Sequence, residues 1–314
     1  MMDKKRIVGI DAGGTKTEFV LCDGEGAVYK RTLRGTGNPN DIGIALCVDM
    51  LFDGIFELCG KDAPDAIFAG ISGAGSGDNA ARIAEALRAR YSGTTVEVSN
   101  DATNLLASGK SDGDSAALIC GTGTALFVQR DGAEYRVGGW GYLFDIGGSS
   151  YDLGRDAIRA TLASEEGLIP EGQLCRLVRE KLGNSAHVSL ADIYKNGKAY
   201  IASFARMTVE CAESGDETAV AIVKDSISAL GRRVEKAVEL YGEIPELICG
   251  GGLFNSSYFS SLLSAELEKY GVSIYIPEYS QIFGSCVRAA KLVGSIDKGL
   301  FAENFRNTMP NSKN

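Results

Sequence analysis

The sequence predicts an α/β protein made of two similar lobes with a cleft between them. Two stretches of the chain have the same layout, in which three short strands joined by tight turns precede alternating helices and strands. The first stretch begins at residue 6 and the second at residue 115, and each has a glycine-rich turn after its first strand. Such an internal duplication indicates an architecture more strongly than any single motif. A length of 314 residues also suits two lobes.

The first lobe is predicted to span residues 1–110. Residues 6–33 have the pattern of three strands, and residues 40–60 predict a helix with one apolar face. That face contains Ile44, Leu46, Met50, Leu51, Ile55 and Leu58. A strand at 66–71, a helix capped by Asp78 and a strand at 94–99 follow.

The second lobe is predicted to span residues 111–314. Three strands begin at Ser115, and a helical insertion occupies the region around 150–215. Apolar residues at spacings of three and four then predict a long amphipathic helix at 216–241. The last elements are predicted as a strand at 246–249, a helix at 255–270 that is capped near Asn255, a strand at 272–276 and a helix from about Gly284.

Composition excludes several classes of function. The chain has 41 acidic and 32 basic residues and a net charge of −9, which makes binding of nucleic acid or of an anionic membrane surface unexpected. No apolar run is long enough to span a membrane, and the charged start is unlike a signal peptide. Eight scattered cysteines without a C-x-x-C pair suit reduced thiols in the cytoplasm. A single histidine, His187, argues against a histidine-rich metal site.

The turn after the first strand reads Asp11-Ala-Gly-Gly-Thr-Lys-Thr. Gly13 and Gly14 allow backbone N–H groups to approach an oxyanion, and Thr15 and Lys16 add a hydroxyl and a positive charge. The spacing differs from a Walker A loop, and the chain continues as a strand instead of a helix. These features favour a phosphate-binding hairpin. An ordinary type I′ hairpin turn, with Lys16 a solvated charge, is the structural alternative.

Two further glycine clusters follow strands of the second lobe. The matching hairpin turn contains Gly121, Thr122 and Gly123. A later turn between a strand and a helix contains Gly250, Gly251 and Gly252. The missing side chains leave room for a flat ring against the backbone, and a dinucleotide-binding G-x-G-x-x-G pattern is absent. Two glycine turns in matching positions suggest a bound nucleotide.

In this order, the three motifs resemble the two phosphate motifs and the adenosine motif of the actin-like ATPase superfamily, which includes sugar kinases, Hsp70 and actin and has ribonuclease H-like lobes. More narrowly, Ser99-Asn-Asp-Ala-Thr, Gly138-Gly-Trp-Gly141 and Thr36-Gly-Asn38 are similar to segments of the BadF/BadG/BcrA/BcrD-type family. That family includes N-acetylglucosamine kinase. The resemblance extends over about residues 5–297.

The resemblance implies a role for each motif. The two hairpins would bind the phosphates of ATP and the Gly250 cluster its adenosine, while Asp11 would hold hydrated Mg²⁺. Asp101 would act as the catalytic base on the sugar hydroxyl. The implied sugar-binding residues are Asn38, Asp101, Gly139, Trp140 and Asp145. Three alternatives stay open: Asp101 as a helix N-cap, Asn38 as a turn residue before a proline, and Trp140 as a core residue.

The sequence departs from the kinase pattern after Trp140. The pattern G-G-W-G-x-x-x-G-D-E-G-S is replaced by GGWGYLFDIGGS, so Asp145 stands one place early and the glutamate is a glycine. The partner of Asp145 would be a sugar hydroxyl or a backbone N–H of the Gly147-Gly148 turn. The identity of the amino sugar stays open for the same reason.

The expected activity is therefore ATP-dependent phosphorylation of an amino sugar, with N-acetylglucosamine and its 6-phosphate first. N-acetylmuramic acid or glucosamine is the alternative acceptor. A homodimer in the cytoplasm is expected, without nucleic-acid or membrane partners. The other class of function is an ATP-dependent activator or regulator of a partner enzyme. The activator branch of the family binds an iron–sulfur cluster between subunits through cysteines in local motifs that are absent from this chain.

Overall fold

The computed structural model describes residues 5–110 and 113–309. These residues form two compact units, one made of residues 5–110 with 277–309 and the other of residues 113–276. Each unit contains one five-stranded mixed sheet. The prediction of a two-lobed α/β protein is confirmed.

Residues 5–110 supply all five strands of the first sheet. The strands are β1 (Arg6–Ala12), β2 (Thr17–Asp23), β3 (Val28–Arg34), β4 (Ala66–Ile71) and β5 (Thr95–Ser99). Their order is β3-β2-β1-β4-β5, with β1, β4 and β5 parallel to one another. The helices of this segment are α1 (Pro39–Ile42), α2 (Ile44–Cys59), α3 (Asn79–Arg90) and α4 (Ala102–Ala107).

Residues 113–276 repeat this strand topology. The strands are β6 (Ser115–Cys120), β7 (Thr124–Arg130), β8 (Ala133–Val137), β9 (Glu246–Gly250) and β10 (Ser273–Tyr275), in the order β10-β9-β6-β7-β8. In both sheets three antiparallel strands are extended by two parallel strands. This agreement is the structural counterpart of the repeated sequence pattern.

Helices of the second unit fall largely within the predicted insertion. They are α5 (Ser150–Glu165), α6 (Gln173–Leu182), α7 (Leu190–Ala202), α8 (Ala205–Glu213), α9 (Glu217–Tyr241) and α10 (Ser257–Glu268). A 3₁₀ turn at Gly252–Asn255 precedes α10, whose N-cap is Ser256 instead of the predicted Asn255. Among the described helices, none combines the length and the apolar character that crossing a bilayer requires.

The C-terminal segment differs from the predicted domain boundary. Its helices α11 (Ile282–Lys291) and α12 (Lys298–Thr308) belong to the first unit, whereas the sequence analysis assigned residues 111–314 to one lobe. The physical reason is that β1, β2 and β4 are largely buried on both faces. The faces are covered by α2 and α3 on one side and by α11 and α12 on the other.

Close packing holds α11 on the first sheet. A side chain on Gly9 of β1 would come within 2.7 Å of the backbone nitrogen of Cys286, so glycine is required where the helix crosses the strand. Phe301 of α12 is fully buried, and its ring packs against those of Phe283 and Phe305. This aromatic cluster completes the second face of the core.

We expect Phe301→Ala to lower the free energy of unfolding by about 3–5 kcal/mol, because it leaves a cavity in a closed core. The neighbouring residue Leu300 is half exposed, so Leu300→Ala is the control and should cost far less. Chemical denaturation followed by circular dichroism measures both variants. Equal effects would contradict the assignment of α12 to the core of the first unit.

Candidate functional site

Two carboxylates meet at the carboxyl edge of the first sheet. The parallel register pairs Asp11 of β1 with Gly70 of β4, and Gly70 with Ser99 of β5. Asp101 follows two residues after the end of β5 and is therefore brought near Asp11. Burial raises the pKa of Asp11 to about 7, and the negative charge of Asp101 contributes to this increase. Such a perturbed carboxyl at a strand end is typical of a functional site.

Asn104 orients Asp11 and was missed by the sequence analysis. Its side-chain nitrogen donates a hydrogen bond of 2.7 Å to Oδ1 of Asp11, which opposes the increase in the pKa of Asp11. Asn104 is fully buried, and it fits because residue 70 is a glycine; a Cβ there would lie 2.0 Å from Oδ1 of Asn104. The sequence feature that could have revealed Asn104 is its position three residues after Asp101, which places both residues on the same side of one helical turn.

Asp101 occupies the N-cap position of α4 without capping the helix through its side chain. The preceding residue Asn100 provides this contact instead, since its Oδ1 accepts a hydrogen bond of 2.8 Å from the backbone N–H of Ala102. The capping alternative therefore does not account for the carboxylate of Asp101.

The first hairpin loop joins β1 and β2 through residues 13–16. The N–H of Gly13 donates to the carbonyl of Lys16 at 2.9 Å. Neither Gly13 nor Gly14 has a positive φ, so the turn is not type I′. Gly14 and Thr15 are exposed, and within the described chain their backbone N–H groups have no protein acceptor. The loop thus offers backbone donors of the kind that bind phosphate.

Lys16 and Asn38 lie beside this hairpin. The charge of Lys16 opposes the increase in the pKa of Asp11, so the lysine acts on the site electrostatically although it is exposed. Asn38 is the N-cap of α1, and its Oδ1 accepts a hydrogen bond of 2.9 Å from the N–H of Asn40. The turn role expected as the alternative for Asn38 is therefore observed. Its loop is tied to the hairpin by a bond from the N–H of Gly37 to the carbonyl of Gly13.

The second hairpin loop, residues 121–123, is held by the start of α5. The N–H groups of Ser150 and Tyr151 donate to the carbonyls of Gly121 and Thr122 at 2.8 and 3.3 Å. In the described part of the chain, the N–H groups of Thr122 and Gly123 have no protein acceptor. This loop therefore also presents backbone donors.

The third glycine cluster packs directly on the second hairpin. Gly251 has a φ of +104°, and a Cβ there would lie 2.4 Å from the carbonyl oxygen of Cys120. Glycine is therefore required at this position. Gly252 has open space around its Cα, and Gly250 ends β9 beside β6. Within the second unit, the structure thus brings together two of the motifs that the sequence analysis assigned to one nucleotide.

Trp140 lies on the surface of the second unit. It is 63% exposed, and the guanidinium of Arg136 lies 4.7 Å from its ring centroid. The core alternative for Trp140 is wrong. Gly138 and Gly139 both have φ near +80°, a backbone conformation that residues other than glycine rarely adopt. The loop can therefore hold the ring outward.

Asp145 forms a buried ion pair with Arg233 of α9, and both side chains are less than a tenth exposed. Its Oδ2 accepts a hydrogen bond of 2.8 Å from the N–H of Gly139, and its Oδ1 accepts one of 3.0 Å from the N–H of Ile146. These donors differ from the predicted Gly147-Gly148 turn. Both oxygens thus have protein partners, which favours the structural role of Asp145 over a sugar contact.

The cysteines are placed as buried thiols. All eight are unpaired and buried, and burial raises the pKa of Cys120 to about 12. Among the described residues, no group of three or more histidine, cysteine, aspartate or glutamate side chains could hold a metal ion. A cluster shared between subunits would need thiols at the surface, and the eight cysteines are buried.

Comparison with known proteins identifies the family. The model of the BadF/BadG/BcrA/BcrD ATPase family matches residues 8–289. The chain belongs to this family. An N-acetylmuramic acid/N-acetylglucosamine kinase of Clostridium acetobutylicum is 30% identical over 269 residues, which cover 80% of this chain and 86% of that protein. An N-acetyl-D-glucosamine kinase of Dictyostelium discoideum is 27% identical over 291 residues, covering 85% and 91%.

Solved structures share the fold at lower identity. A protein of Chromobacterium violaceum, provisionally described as an N-acetylglucosamine kinase, gives a TM-score of 0.75 at 21% identity, with 90% of this chain and 98% of that chain covered. A ROK family glucokinase of Streptomyces griseus in complex with glucose and AMPPNP gives 0.60 at 16% identity, covering 91% and 98%. These similarities confirm the predicted actin-like sugar kinase fold.

The titration of Asp11 predicts a pH-dependent effect of Asp11→Asn. Between 3.8, the ordinary pKa, and about 7, the folded state holds a proton that the unfolded state has released. The contribution of Asp11 to stability therefore falls as the pH rises through this window. In metal-free denaturation, we expect Asp11→Asn to be more stable than the parent by on the order of a few kcal/mol at about pH 8, and by less at about pH 5.

Asp49→Asn, which makes the same substitution at an exposed position of α2, is the control for this measurement. A pH-independent difference between Asp11→Asn and the parent would contradict the raised pKa of Asp11.

The buried ion pair predicts a large loss of stability for Asp145→Ala. The change leaves the guanidinium of Arg233 buried without its counter-ion, which costs about 3–5 kcal/mol. Glu239→Ala breaks an exposed pair with Lys236 on the same helix and should cost at most about 1 kcal/mol. Thermal unfolding of the two variants decides; a small effect at Asp145 would mean that the ion pair does not hold the loop.

Proposed function

We propose that the chain is an ATP-dependent kinase of an amino sugar, with N-acetylglucosamine as first acceptor and its 6-hydroxyl as the nucleophile. The observation that carries this proposal is the pair Asp11 and Asp101 at the edge of the parallel strands, next to a hairpin with open backbone donors. Family membership and the named activities of the relatives support the same class of reaction.

In this mechanism Asp101 accepts the proton of the attacking sugar hydroxyl. A sugar hydroxyl is a weak nucleophile, so a carboxylate must accept its proton as the bond to phosphorus forms. Asp101 suits this role because its side chain does not cap α4 and because it follows a strand end at the sheet edge. The negative charge of Asp101 destabilises the ionised carboxylate of Asp11. The charge of Asp11 must therefore be neutralised when the substrates are bound.

Mg²⁺ fits this requirement. Asp11 would hold it through water, since a nearby cation would offset both the burial and the charge of Asp101 that raise the pKa of Asp11. When bound, the ion neutralises charge on the transferred phosphoryl group. Asn104 keeps Asp11 oriented through its hydrogen bond to Oδ1.

The remaining residues bind the two substrates. We propose that Gly13, Gly14, Thr15 and Lys16, with Gly121, Thr122 and Gly123, bind the phosphates of ATP. Gly250, Gly251 and Gly252 would bind the adenosine, since Gly252 leaves open space above the backbone. Asn38, Gly139 and Trp140 would contact the sugar, while Asp145 holds the loop that carries two of them.

We also propose that the protein acts as a homodimer in the cytoplasm.

A coupled assay of ADP release tests the function across N-acetylglucosamine, N-acetylmuramic acid, glucosamine and glucose. The expected result is ADP release that requires one of the amino sugars and is weak with glucose. ADP release that no sugar stimulates would refute the kinase proposal and favour the activator class instead.

The base assignment predicts that Asp101→Asn folds and binds ATP but loses roughly two to four orders of magnitude in kcat, the usual contribution of a positioned base. Asp78→Asn is a matched control, because Asp78 is also an N-cap aspartate without a side-chain capping bond. Calorimetry with a non-hydrolysable ATP analogue checks binding. Near-normal turnover of Asp101→Asn would remove Asp101 from the catalytic role.

A further inference from the structure

Arg233 is a cation within the buried face of α9, where the sequence pattern predicts apolar residues. It is 3% exposed, whereas its neighbour Arg232 lies on the exposed face. Burying a guanidinium is unfavourable unless every side of it has a partner. The contacts of Arg233 therefore indicate what the residue is for.

One arm of the guanidinium reaches the second hairpin. Its Nη1 donates to Oγ1 of Thr124 at 3.3 Å. Thr124 is buried and directly follows Gly123, the last residue of the loop with open backbone donors. The position of this arm is thus tied to the end of the loop that we assign to phosphate.

The other arm reaches the loop of residues 138–149 between β8 and α5, which carries Trp140 and is called here the tryptophan loop. Its Nη2 is paired with Oδ1 of Asp145, whose Oδ2 accepts from the N–H of Gly139, next to Trp140. The guanidinium lies beside Gly138, where a Cβ would come within 2.7 Å of Nε and Cζ. Glycine at 138 is therefore what allows the loop to rest on Arg233.

The rest of the loop also rests on α9. A Cβ on Gly148 would lie 2.4 Å from Cδ2 of Leu230, and one on Gly147 would contact Ala229 at 3.6 Å. Ala229, Leu230 and Arg233 lie within one turn of the helix and on one side of it. One helical turn thus supports both ends of the loop, and its residue Arg233 bonds both to the loop and to the strand that follows the hairpin.

We infer that Arg233 is a positioning residue that couples the second hairpin, residues 121–123, to the tryptophan loop. A displacement of Thr124 moves one arm of a rigid, planar fork, and the other arm moves Asp145 and with it Gly139 and Trp140. Occupation of the hairpin by nucleotide is thereby transmitted to the loop that we assign to the sugar. The inference rests on the proposed function for the identity of the ligands. The contacts themselves lie within the second unit and do not depend on the proposed function.

Trp140 is the only tryptophan of the chain, so its fluorescence reports on this loop alone. Titration of the parent protein with Mg·ADP should change the Trp140 emission. Arg233→Lys keeps the charge but lacks the two-armed fork. We expect this variant to bind Mg·ADP in calorimetry while losing most of the emission change.

Two further variants complete the fluorescence test. Arg232→Lys makes the same substitution one residue away on the exposed face and should respond like the parent. Thr124→Val replaces the hydroxyl with a methyl group and should also lose the response, which keeps the test valid if Arg233→Lys is unstable. A full response in either Thr124→Val or a folded Arg233→Lys would overturn the inference. So would a parent protein that binds Mg·ADP without any change in emission.

Kinetics separate coupling from a merely structural role. Asp145→Asn should raise KM for the sugar, Thr124→Val should raise KM for ATP, and Arg233→Lys should raise both, each by up to about a hundredfold. Lower thermal stability with unchanged KM values in Arg233→Lys would overturn the inference. If the parent phosphorylates no amino sugar, the proposed function fails, and the fluorescence result alone decides on Arg233.

Discussion

Burial of one carboxylate beside the charge of a second, at one edge of the first sheet, is the constraint on which the site depends. The parallel pairing of β1, β4 and β5 brings Asp101 near Asp11, and burial together with that charge raises the pKa of Asp11 to about 7. Asn104 offsets part of the cost by donating to Asp11. The structure maintains this unfavourable pair of carboxylates, and function explains why. In the proposed mechanism, Asp11 holds a cation and Asp101 faces the reacting hydroxyl.

Glycine has two different uses around this chemistry. At residues 14 and 123 it leaves backbone N–H donors exposed in hairpin loops, although a Cβ at either position would meet no neighbouring atom. At Gly70, Gly138 and Gly251 it allows a neighbouring group to approach so closely that any side chain would collide with it. The first use prepares the loops for an anion, and the second keeps them fixed on the scaffold. The glycine-rich composition therefore reflects both binding and packing.

Local motifs made much of the fold and site predictable. The repeated strand pattern predicted both sheets, and Asp11 and Asp101 follow from their places at strand ends. Contacts between distant segments were not predictable in the same way. The partner of Asp145 lies 88 residues away on α9, and the predicted lobe boundary missed that α11 covers β1. The type I′ turn was excluded only by the observed φ angles. Such features depend on strand register and helix packing, which a single sequence does not specify.

The most direct test of the kinase mechanism follows the fate of the phosphoryl group. Phosphorus NMR of one sample containing the protein, Mg·ATP and N-acetylglucosamine resolves ADP, inorganic phosphate and sugar phosphate together. The account predicts that sugar phosphate appears in equal amount with ADP, and that Asp101→Asn slows the appearance of both by roughly two to four orders of magnitude. ADP with inorganic phosphate and no sugar phosphate, from any amino sugar in the panel, would contradict it, because the site would then hydrolyse ATP without transferring the phosphoryl group to a sugar.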